Sequence, residues 1–298
     1  MENQSIHRLL IVDGHAYAYR AFHAIQKLNA PDGTPTNAVY GFIKMLGRMQ
    51  TVLQPSHQGV VWDGGLSAER LESLPGYKAQ RPPMPDDLER QLPEIDAYLA
   101  AARIPAFVRD GVEADDWIAS QAACATRLGV DTVIASADKD FLQLVSPRVG
   151  LLNPNDKTET VWGAAQVRDK TGLEPGQVVD WLSLIGDAVD NIEGVPGVGP
   201  KTATDLLRQF GSIDGIYRRI QEVKSERIRA SLTASETSVR RNQQLIRLPS
   251  DMPCHFNLEQ LAVQPPDVER LRPLYERWGF KTLLAQLGAV PPRQGELL

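Results

Sequence analysis

Acidic residues follow apolar, strand-like runs in this chain, and this placement constrains the fold more than any other feature. Asp13, Asp63 and Asp138 come directly after such runs, which cover residues 9–12, 59–62 and 132–137. In an open parallel sheet, the carboxyl ends of the strands form the crevice in which ligands bind. We therefore expect these carboxylates to converge at one edge of a sheet.

Six further acids occur in three short clusters: Glu113, Asp115 and Asp116; Asp140, two residues after Asp138; and Asp187 with Asp190. Each cluster has an ordinary alternative. A strand-end aspartate can cap a helix, acids in a first helical turn are favoured by the helix dipole, and an Asp-Lys-Asp sequence can form a polar turn. If residues 138–140 stay extended, both carboxylates point the same way. Five segments that all end in acids are a stronger signal than any one of them.

Carboxylates held this close repel one another, which raises their pKa values. A divalent cation removes the conflict, and ligation by oxygen alone suits Mg²⁺ or Mn²⁺ rather than Zn²⁺. The nine acids are therefore candidate metal ligands.

Bulk composition places the chain among ordinary globular proteins, with 298 residues, 42% hydrophobic and 23% charged. The length suits more than one domain. The N-terminus has no signal-peptide apolar region, and no apolar run is long enough to span a membrane. Cys124 and Cys254 lie far apart in sequence, which argues against a disulfide framework and favours a cytoplasmic location.

The net charge of −5 does not exclude a nucleic-acid partner. Without the nine candidate ligands the remaining charge is −5 + 9 = +4, and residues 201–250 carry ten Lys/Arg against five Asp/Glu. A basic surface beside an acidic, metal-binding pit is compatible with a polyanionic substrate. A solvated helical surface explains the same charges equally well.

Strand and helix patterns alternate from about residue 7 to 160, which predicts an α/β fold with a mostly parallel sheet. Apolar spacing predicts helices near 36–53 and 117–128 and strands at 104–108 and 149–153. Pro93 kinks a helix that follows Asp86 or marks its start. Strand patterns end near residue 175, and helices are predicted at 178–185, 201–210, 213–220 and within 222–247.

A glycine turn at 194–199 leads into the helix that begins near Pro200. It lacks the P-loop lysine, because Pro200 occupies that position. Backbone N–H groups at Gly197 and Gly199, with the helix dipole behind them, form an anion site that suits a DNA phosphate. A plain helix–turn–helix corner is the alternative.

The irregular segment 64–87 contains Tyr77, Lys78 and Arg81. Lysine and arginine can clamp phosphates and tyrosine can stack on a base. Taken alone, the segment is also compatible with a generic basic loop.

Together these motifs resemble the 5′-nuclease family, which comprises the flap endonucleases and the N-terminal 5′–3′ exonuclease domain of bacterial DNA polymerase I. The resemblance runs from about residue 9 to 247. It rests on Ile-Val-Asp-Gly-His at 11–15, Ala-Tyr-Arg at 18–20, Val-Tyr-Gly-Phe at 39–42, Tyr-Lys-Ala-Gln-Arg-Pro at 77–82, Glu-Ala-Asp-Asp at 113–116, Ala-Asp-Lys-Asp at 137–140, Gly-Asp-Ala-Val-Asp-Asn at 186–191 and Gly-Val-Pro-Gly-Val-Gly-Pro-Lys-Thr-Ala at 194–203.

The resemblance implies a PIN-like α/β nuclease domain at 1–175 with a helical arch at about 64–100. A helical domain with a helix–three-turn–helix element and a C-terminal tail would follow at 176–298. It implies that two ions, normally Mg²⁺, are held by Asp13, Asp63, Glu113, Asp115, Asp116, Asp138, Asp140, Asp187 and Asp190.

The same resemblance implies roles for the basic and glycine-rich segments. Lys78 and Arg81 match arch cations that engage the scissile phosphate. The DNA contacts would be Arg20, Arg70, Tyr77, Gly197, Gly199, Lys201 and Thr202, and the glycine turn can hold K⁺. Two departures, Glu69 in place of an aromatic residue and Glu193 in place of a proline, affect no ligand position.

The predicted activity is metal-dependent hydrolysis of DNA at 5′ flaps and 5′ ends, in replication and repair, including primer removal from Okazaki fragments. One ion would lower the pKa of bound water, and the pair would stabilise the attacking and leaving oxygens. We expect a monomer that binds branched or nicked duplex DNA and no membrane, with a covalently attached or separate DNA polymerase as partner. The rivals are a non-catalytic branched-DNA-binding module and a PIN-type ribonuclease.

Overall fold

The computed structural model describes residues 7–156, 160–252 and 257–288. Within these residues the strands are β1 (Arg8–Asp13), β2 (His57–Val61), β3 (Ala106–Phe107), β4 (Asp131–Ala135), β5 (Val149–Leu152), β6 (Gly186–Asp187) and β7 (Ile192–Glu193). Parts of the predicted tail, residues 253–256 and 289–298, lie outside the described residues.

The described α-helices are α1 (Gly14–Ala24), α2 (Asn37–Leu53), α3 (Ala68–Ser73), α4 (Asp86–Glu89), α5 (Leu92–Ala101), α6 (Ala114–Arg127), α7 (Ala164–Thr171), α8 (Val178–Ile185), α9 (Pro200–Phe210), α10 (Ile213–Arg218), α11 (Glu226–Ala234), α12 (Glu236–Ile246), α13 (Leu258–Leu261), α14 (Val268–Trp278) and α15 (Lys281–Gly288). Short 3₁₀ helices cover Lys139–Leu144, Pro175–Gln177 and Ile220–Glu222.

A five-stranded sheet has the order β3-β2-β1-β4-β5. β1 pairs in parallel with β4, and β4 in parallel with β5. β1 and β4 are apolar along their length because both faces are covered: Leu9, Leu10 and Ala135 are fully buried. The predicted α/β fold, a PIN-like, mostly parallel sheet followed by a helical region, is confirmed.

Contacts between residues divide the chain into two units. The first consists of the described parts of Met1–Asp13, Val61–Pro83 and Val108–Phe256. The second consists of the described parts of Gly14–Val60, Met84–Phe107 and Asn257–Leu298. The segment 64–100 is the one for which the family resemblance predicts a helical arch. It contains α3, α4 and α5, and Leu88, Ile95 and Leu99 within it are buried.

In the first unit, helices α8 to α12 share a buried apolar cluster that includes Leu184, Val195, Leu207, Ile213 and Val239. Ser212 and Ser225 cap α10 and α11 by accepting hydrogen bonds from the N–H groups of Gly215 and Ile228. β6 and β7 form an antiparallel hairpin between α8 and α9.

Several predicted boundaries were wrong, and two of them change the position of acids. β2 ends at Val61 and β4 at Ala135, so Asp63 and Asp138 lie in the loops beyond the strands. Residues 138–140 are not extended, because Asp138 caps the 3₁₀ helix that starts at Lys139. The polar stretch 222–247 is broken at Ser235 into α11 and α12. Pro93 lies in the first turn of α5, which marks a helix start rather than a kink.

Cys124 on α6 is buried and disulfide-bonded. The sequence argument concerned a framework of several disulfides. Cys254 lies outside the described residues. No helix in the described part of the chain is both long enough and apolar enough to cross a membrane.

Gly186 precedes Asp187 at a position that only glycine suits. Its φ is +77°, and a Cβ there would lie 2.4 Å from the nitrogen of Gly194 and 2.5 Å from the oxygen of Ile192. We predict that Gly186→Ala destabilises the protein by about 2 kcal/mol or more, since backbone atoms must move. Urea denaturation followed by circular dichroism measures this.

Gly47→Ala is the matched control, because Gly47 lies within α2 and a Cβ there meets nothing within 4 Å. Replacing a mid-helix glycine should leave stability unchanged or raise it by about 0.5–1 kcal/mol. Equal unfolding midpoints for the two variants would contradict the assignment of strain to Gly186.

Candidate active site

The candidate acids all belong to the first unit, and five segments of the chain supply them. Asp13 at the end of β1 accepts a hydrogen bond from Ser136 Oγ at 2.8 Å. Ser136 Oγ also accepts from the N–H of Asp138 at 3.1 Å, so a single buried hydroxyl joins two acid-bearing loops. Asp63 accepts from the N–H of Gly65 at 2.9 Å.

At the start of α6, Glu113 is the N-cap residue and Asp115 and Asp116 lie in the first turn. Glu113 has no exposed surface and is bound by four neighbours, one of which is the N–H of Ser67, which donates to Oε1 at 3.2 Å. Arg70 Nη1 donates to its Oε1 at 2.7 Å, Tyr77 Oη donates to its Oε2 at 3.2 Å, and Lys78 Nζ forms a short ion pair with Oε2. Arg70 also binds Asp116 in a bidentate pair, at 2.6 and 2.8 Å.

The 3₁₀ turn carries Asp138 and Asp140, and Asp138 Oδ1 accepts from the N–H of Asp140 at 2.9 Å. The β6–β7 hairpin carries Asp187 and Asp190. Asp187 pairs with Lys139 at 3.2 Å, and Asp190 pairs with Arg81 at 2.6 Å. Lys78 Nζ is 4.0 Å from both Asp190 and Asp115, so one ammonium group lies among three carboxylates.

Charges from separate segments act on the same buried acids. Burial raises the pKa of Asp140 well above its ordinary value, and the charges of Asp138, Asp190, Asp115 and Asp187 raise it further. Burial likewise raises the pKa of Asp115 to about 7. The charge of Lys78 lowers this pKa, and the charges of Asp116 and Glu113 raise it. Burial would also raise the pKa of Glu113, but Lys78 and Arg70 hold it below its ordinary value.

The donor set fits a hard divalent cation, because it consists of carboxylate oxygens that repel one another where they are buried. As the side chains stand, however, no three His, Cys, Asp or Glu groups among the described residues are arranged to hold a metal ion. Arg70, Lys78, Arg81 and Lys139 pair with Glu113, Asp116, Asp187 and Asp190 instead. The chemistry therefore suits a metal, and binding one requires these side chains to rearrange.

The turn that carries Tyr77 and Lys78 is docked on the β6–β7 hairpin. The N–H of Lys78 donates to the carbonyl of Asp190 at 3.1 Å, and Asn191 Nδ2 donates to that of Gly76 at 2.8 Å. Lys78 and Asn191 have φ of 55° and 57°, in the left-handed region that non-glycine residues avoid. The structure holds both in strained backbone conformations, as is common at functional sites.

Two predicted DNA contacts point inward. Arg70 is 7% exposed, and its Nε donates to the carbonyl of Leu245 at 2.9 Å while its other nitrogens bind Glu113 and Asp116. Tyr77 is 3% exposed. Arg20 is exposed on α1, in the second unit.

The glycine turn is built as the sequence predicts. Gly197 has φ +83°, Gly199 is the N-cap of α9, and Pro200 occupies the first turn. Lys201 is exposed and Thr202 is half-buried. Sequence reasoning missed Arg227, whose Nη2 is 3.1 Å from the position that a Cβ on Gly197 would take. No spacing signal links α11 to this turn.

Sequence reasoning also missed Ser136, Lys139 and Asn191, which hold acids or their loops through the bonds described above. In the sequence Lys139 is simply the neighbour of Asp138 and Asp140, whereas its ion-pair partner in the fold is Asp187, which lies far away in sequence.

Two family models match consecutive parts of the chain. "5′-3′ exonuclease, N-terminal resolvase-like domain" matches residues 8–172, and "5′-3′ exonuclease, C-terminal SAM fold" matches residues 173–269. The chain is similar to a 5′-3′ exonuclease of Aquifex aeolicus, with 37% identity over 95% of this chain and 96% of that protein. It is similar to DNA polymerase I of Bacillus caldotenax, with 37% identity over 94% of this chain. It spans only 32% of that polymerase.

Solved structures share the fold. The bacteriophage T5 5′-exonuclease with bound divalent zinc has a TM-score of 0.68 and 24% identity, covering 95% of this chain and 99% of that one. The catalytic core of Rad2 in complex with DNA substrate has a TM-score of 0.61 and 18% identity, covering 94% and 93%.

Lys78 occupies the centre of the acid cluster, so its removal should favour a bound cation. We predict that Lys78→Met binds Mn²⁺ about tenfold more tightly in the absence of DNA, about 1.4 kcal/mol, because Asp115 and Asp190 lose a competing charge. Glu113 keeps Arg70 and Tyr77 as partners. Isothermal titration calorimetry measures the affinity.

Lys44→Met, which removes a charge from the exposed surface of α2, is the control and should leave Mn²⁺ affinity unchanged. Weaker binding by Lys78→Met than by the unaltered protein would show that Lys78 does not compete with cations.

Proposed function

This chain belongs to the 5′–3′ exonuclease family, and on that basis we propose that it is a structure-specific 5′ nuclease. It hydrolyses DNA phosphodiesters at 5′ flaps and 5′ ends. The observation that carries the proposal is that the Lys78 ammonium group lies beside Glu113, Asp115 and Asp190, acids from two segments that are far apart in sequence. A protein that only binds DNA has no use for buried negative charge that faces phosphate.

Two Mg²⁺ ions, for which Mn²⁺ can substitute, are the proposed cofactors, and the nine acids from Asp13 to Asp190 would hold them. When bound, such ions activate water and stabilise charge on the attacking and leaving oxygens. K⁺ at the glycine turn is a further proposal from the family resemblance.

Lys78 and Arg81 are the proposed catalytic cations. Both already lie beside the acids, and the Arg81 side chain is 42% exposed, so a phosphate that enters the site can reach it. There they would neutralise charge that develops on the phosphoryl oxygens. If Lys78 and Arg81 moved from Glu113 and Asp190 to the phosphate, those two carboxylates would become free to bind metal.

Duplex DNA is proposed to bind the glycine turn. The N–H groups of Gly197 and Gly199 donate to no protein acceptor in the described ranges, Lys201 and Thr202 follow in the first turn of α9, and Arg227 lies beside them. These features support a phosphate site at a helix N-terminus. Arg20, which is exposed, remains a proposed DNA contact. Because Arg70 and Tyr77 are buried against Glu113, we assign them to its support instead.

The proposed context is DNA replication and repair, including primer removal from Okazaki fragments, in the cytoplasm. A DNA polymerase, attached or separate, is the proposed partner, since the chain matches a part of DNA polymerase I relatives. We propose a monomer with a nuclease domain at 1–175, an arch at about 64–100 and a helical domain at 176–298.

Asp138 tests the nuclease assignment directly. We predict that the protein cleaves an end-labelled 5′-flap DNA with Mg²⁺ to give a 5′-phosphate and a 3′-hydroxyl, and that Asp138→Ala lowers the rate by about a thousandfold or more. Asp169→Ala, at an exposed acid on α7, is the control and should cleave normally.

Binding of flap DNA without cleavage when Mg²⁺ is added would favour a non-catalytic binding module. Preferential cleavage of a matched RNA flap would favour a PIN-type ribonuclease. Normal cleavage by Asp138→Ala would refute the site.

Lys201 tests the proposed phosphate site. We predict that Lys201→Gln weakens binding to nicked duplex DNA severalfold for every sequence and lowers the slope of log K against log salt by about one. Fluorescence anisotropy at several salt concentrations, in EDTA, gives both quantities. Lys281→Gln, which removes an equal charge from α15, should keep the original slope. Equal slopes for the protein and Lys201→Gln would remove this lysine from the interface.

A further inference from the structure

The C-terminal half of α12 contains none of the candidate acids, yet its hydrogen bonds lead to three acid-bearing segments, directly to two of them and through Arg70 to the third. A helix leaves its last four carbonyl groups without partners inside the helix. In α12, two of these are the carbonyls of Leu245 and Ile246. Side chains from elsewhere in the first unit satisfy both of them.

Arg70 donates a hydrogen bond to the first of these carbonyls, that of Leu245. Its Nε donates to Leu245 at 2.9 Å, while its Nη atoms hold Glu113 and Asp116 at the start of α6. One guanidinium therefore fixes two acids relative to α12.

Gln143 donates a hydrogen bond to the second of these carbonyls, that of Ile246. Its Nε2 donates to the carbonyls of Ile246 at 3.0 Å and Asp140 at 2.9 Å, and its Oε1 accepts from the N–H of Leu248 at 3.0 Å. Every one of these partners is a backbone atom, so the amide joins the 3₁₀ turn of Asp138 and Asp140 to the chain that leaves α12.

Asn242 holds the third segment. It is fully buried, and its Nδ2 donates to the carbonyls of Ser183 at 3.2 Å and Glu193 at 2.8 Å. Ser183 lies on α8 just before the hairpin that carries Asp187 and Asp190, and Glu193 is the last residue of that hairpin.

We propose that the C-terminal half of α12 is the shared anchor that sets the spacing of three acid-bearing segments, and that Gln143 is a positioning residue for Asp138 and Asp140. This inference rests on the proposed function, because the spacing matters only if the acids bind divalent ions together. Gln143 contacts neither carboxylate directly and acts through the backbone of Asp140.

Gln143→Met tests the proposal, because methionine has a similar shape and makes none of the three hydrogen bonds. Gln177→Met is a matched control. Gln177 is also half-buried, also donates to two backbone carbonyls (Leu207 and Gly211) and also accepts from one N–H (Glu174), but it lies on none of the acid-bearing segments.

Three quantities are measured: Mn²⁺ binding without DNA, by electron paramagnetic resonance of free Mn²⁺; the melting temperature in EDTA; and the Mn²⁺ concentration that half-activates flap cleavage. For Gln143→Met we expect at least fivefold weaker Mn²⁺ binding and a matching rise in the half-activating concentration. Saturating Mn²⁺ should restore much of the rate, and DNA affinity in EDTA should stay within twofold. Gln177→Met should lower the melting temperature comparably and keep Mn²⁺ affinity within twofold.

Unchanged Mn²⁺ affinity in Gln143→Met, or equal weakening in Gln177→Met, would overturn the proposal. If Gln143→Met does not melt cooperatively, Gln143→Asn replaces it. That variant keeps an amide one methylene shorter, and wild-type Mn²⁺ affinity in it would equally overturn the proposal. If the unaltered protein neither binds Mn²⁺ nor cleaves, the proposed function itself fails and this inference fails with it.

Discussion

Burial of like charges is the constraint on which the rest of the first unit depends. Burial and the charges of Asp138, Asp190, Asp115 and Asp187 raise the pKa of Asp140. Several of the acids form ion pairs with cations of the chain itself. Lys78, Arg81 and Lys139 pair with the acids nearest to them, and Arg70 is buried against Glu113 and Asp116. These cations offset part of the negative charge of the acids.

Such an arrangement needs a rigid frame, because unpaired buried carboxylates move apart where they can. The frame consists of backbone-directed hydrogen bonds from Arg70, Gln143 and Asn242 to α12 and its neighbours. The strained backbone at Lys78 and Asn191 is held where the turn of Lys78 hydrogen-bonds to the β6–β7 hairpin. Helix α12 follows the glycine turn and α11 in the chain, so the helices proposed to bind duplex DNA are continuous with the element that fixes the acids.

Much of the fold could be predicted from the sequence, since buried parallel strands require continuous apolar runs and helices show their periodicity. Strand ends were harder to predict: Ala137 looks like strand but lies beyond β4, where Ser136 already turns its hydroxyl to Asp13. The acids could be found because they follow apolar runs. Their partners could not, because Lys139 with Asp187 and Arg70 with Leu245 are neighbours only after folding. Burial also reversed an expectation, since an arginine in a DNA-contact motif proved to be an internal anchor.

Anomalous scattering from a crystal soaked in Mn²⁺ is the sharpest test of a shared divalent-ion site, because it locates ions and side chains together. We predict two peaks among the carboxylates of Asp115, Asp138, Asp140, Asp187 and Asp190, with Lys78 moved away from Glu113. Absence of peaks at full soaking, with the Lys78–Glu113 ion pair intact, would contradict it.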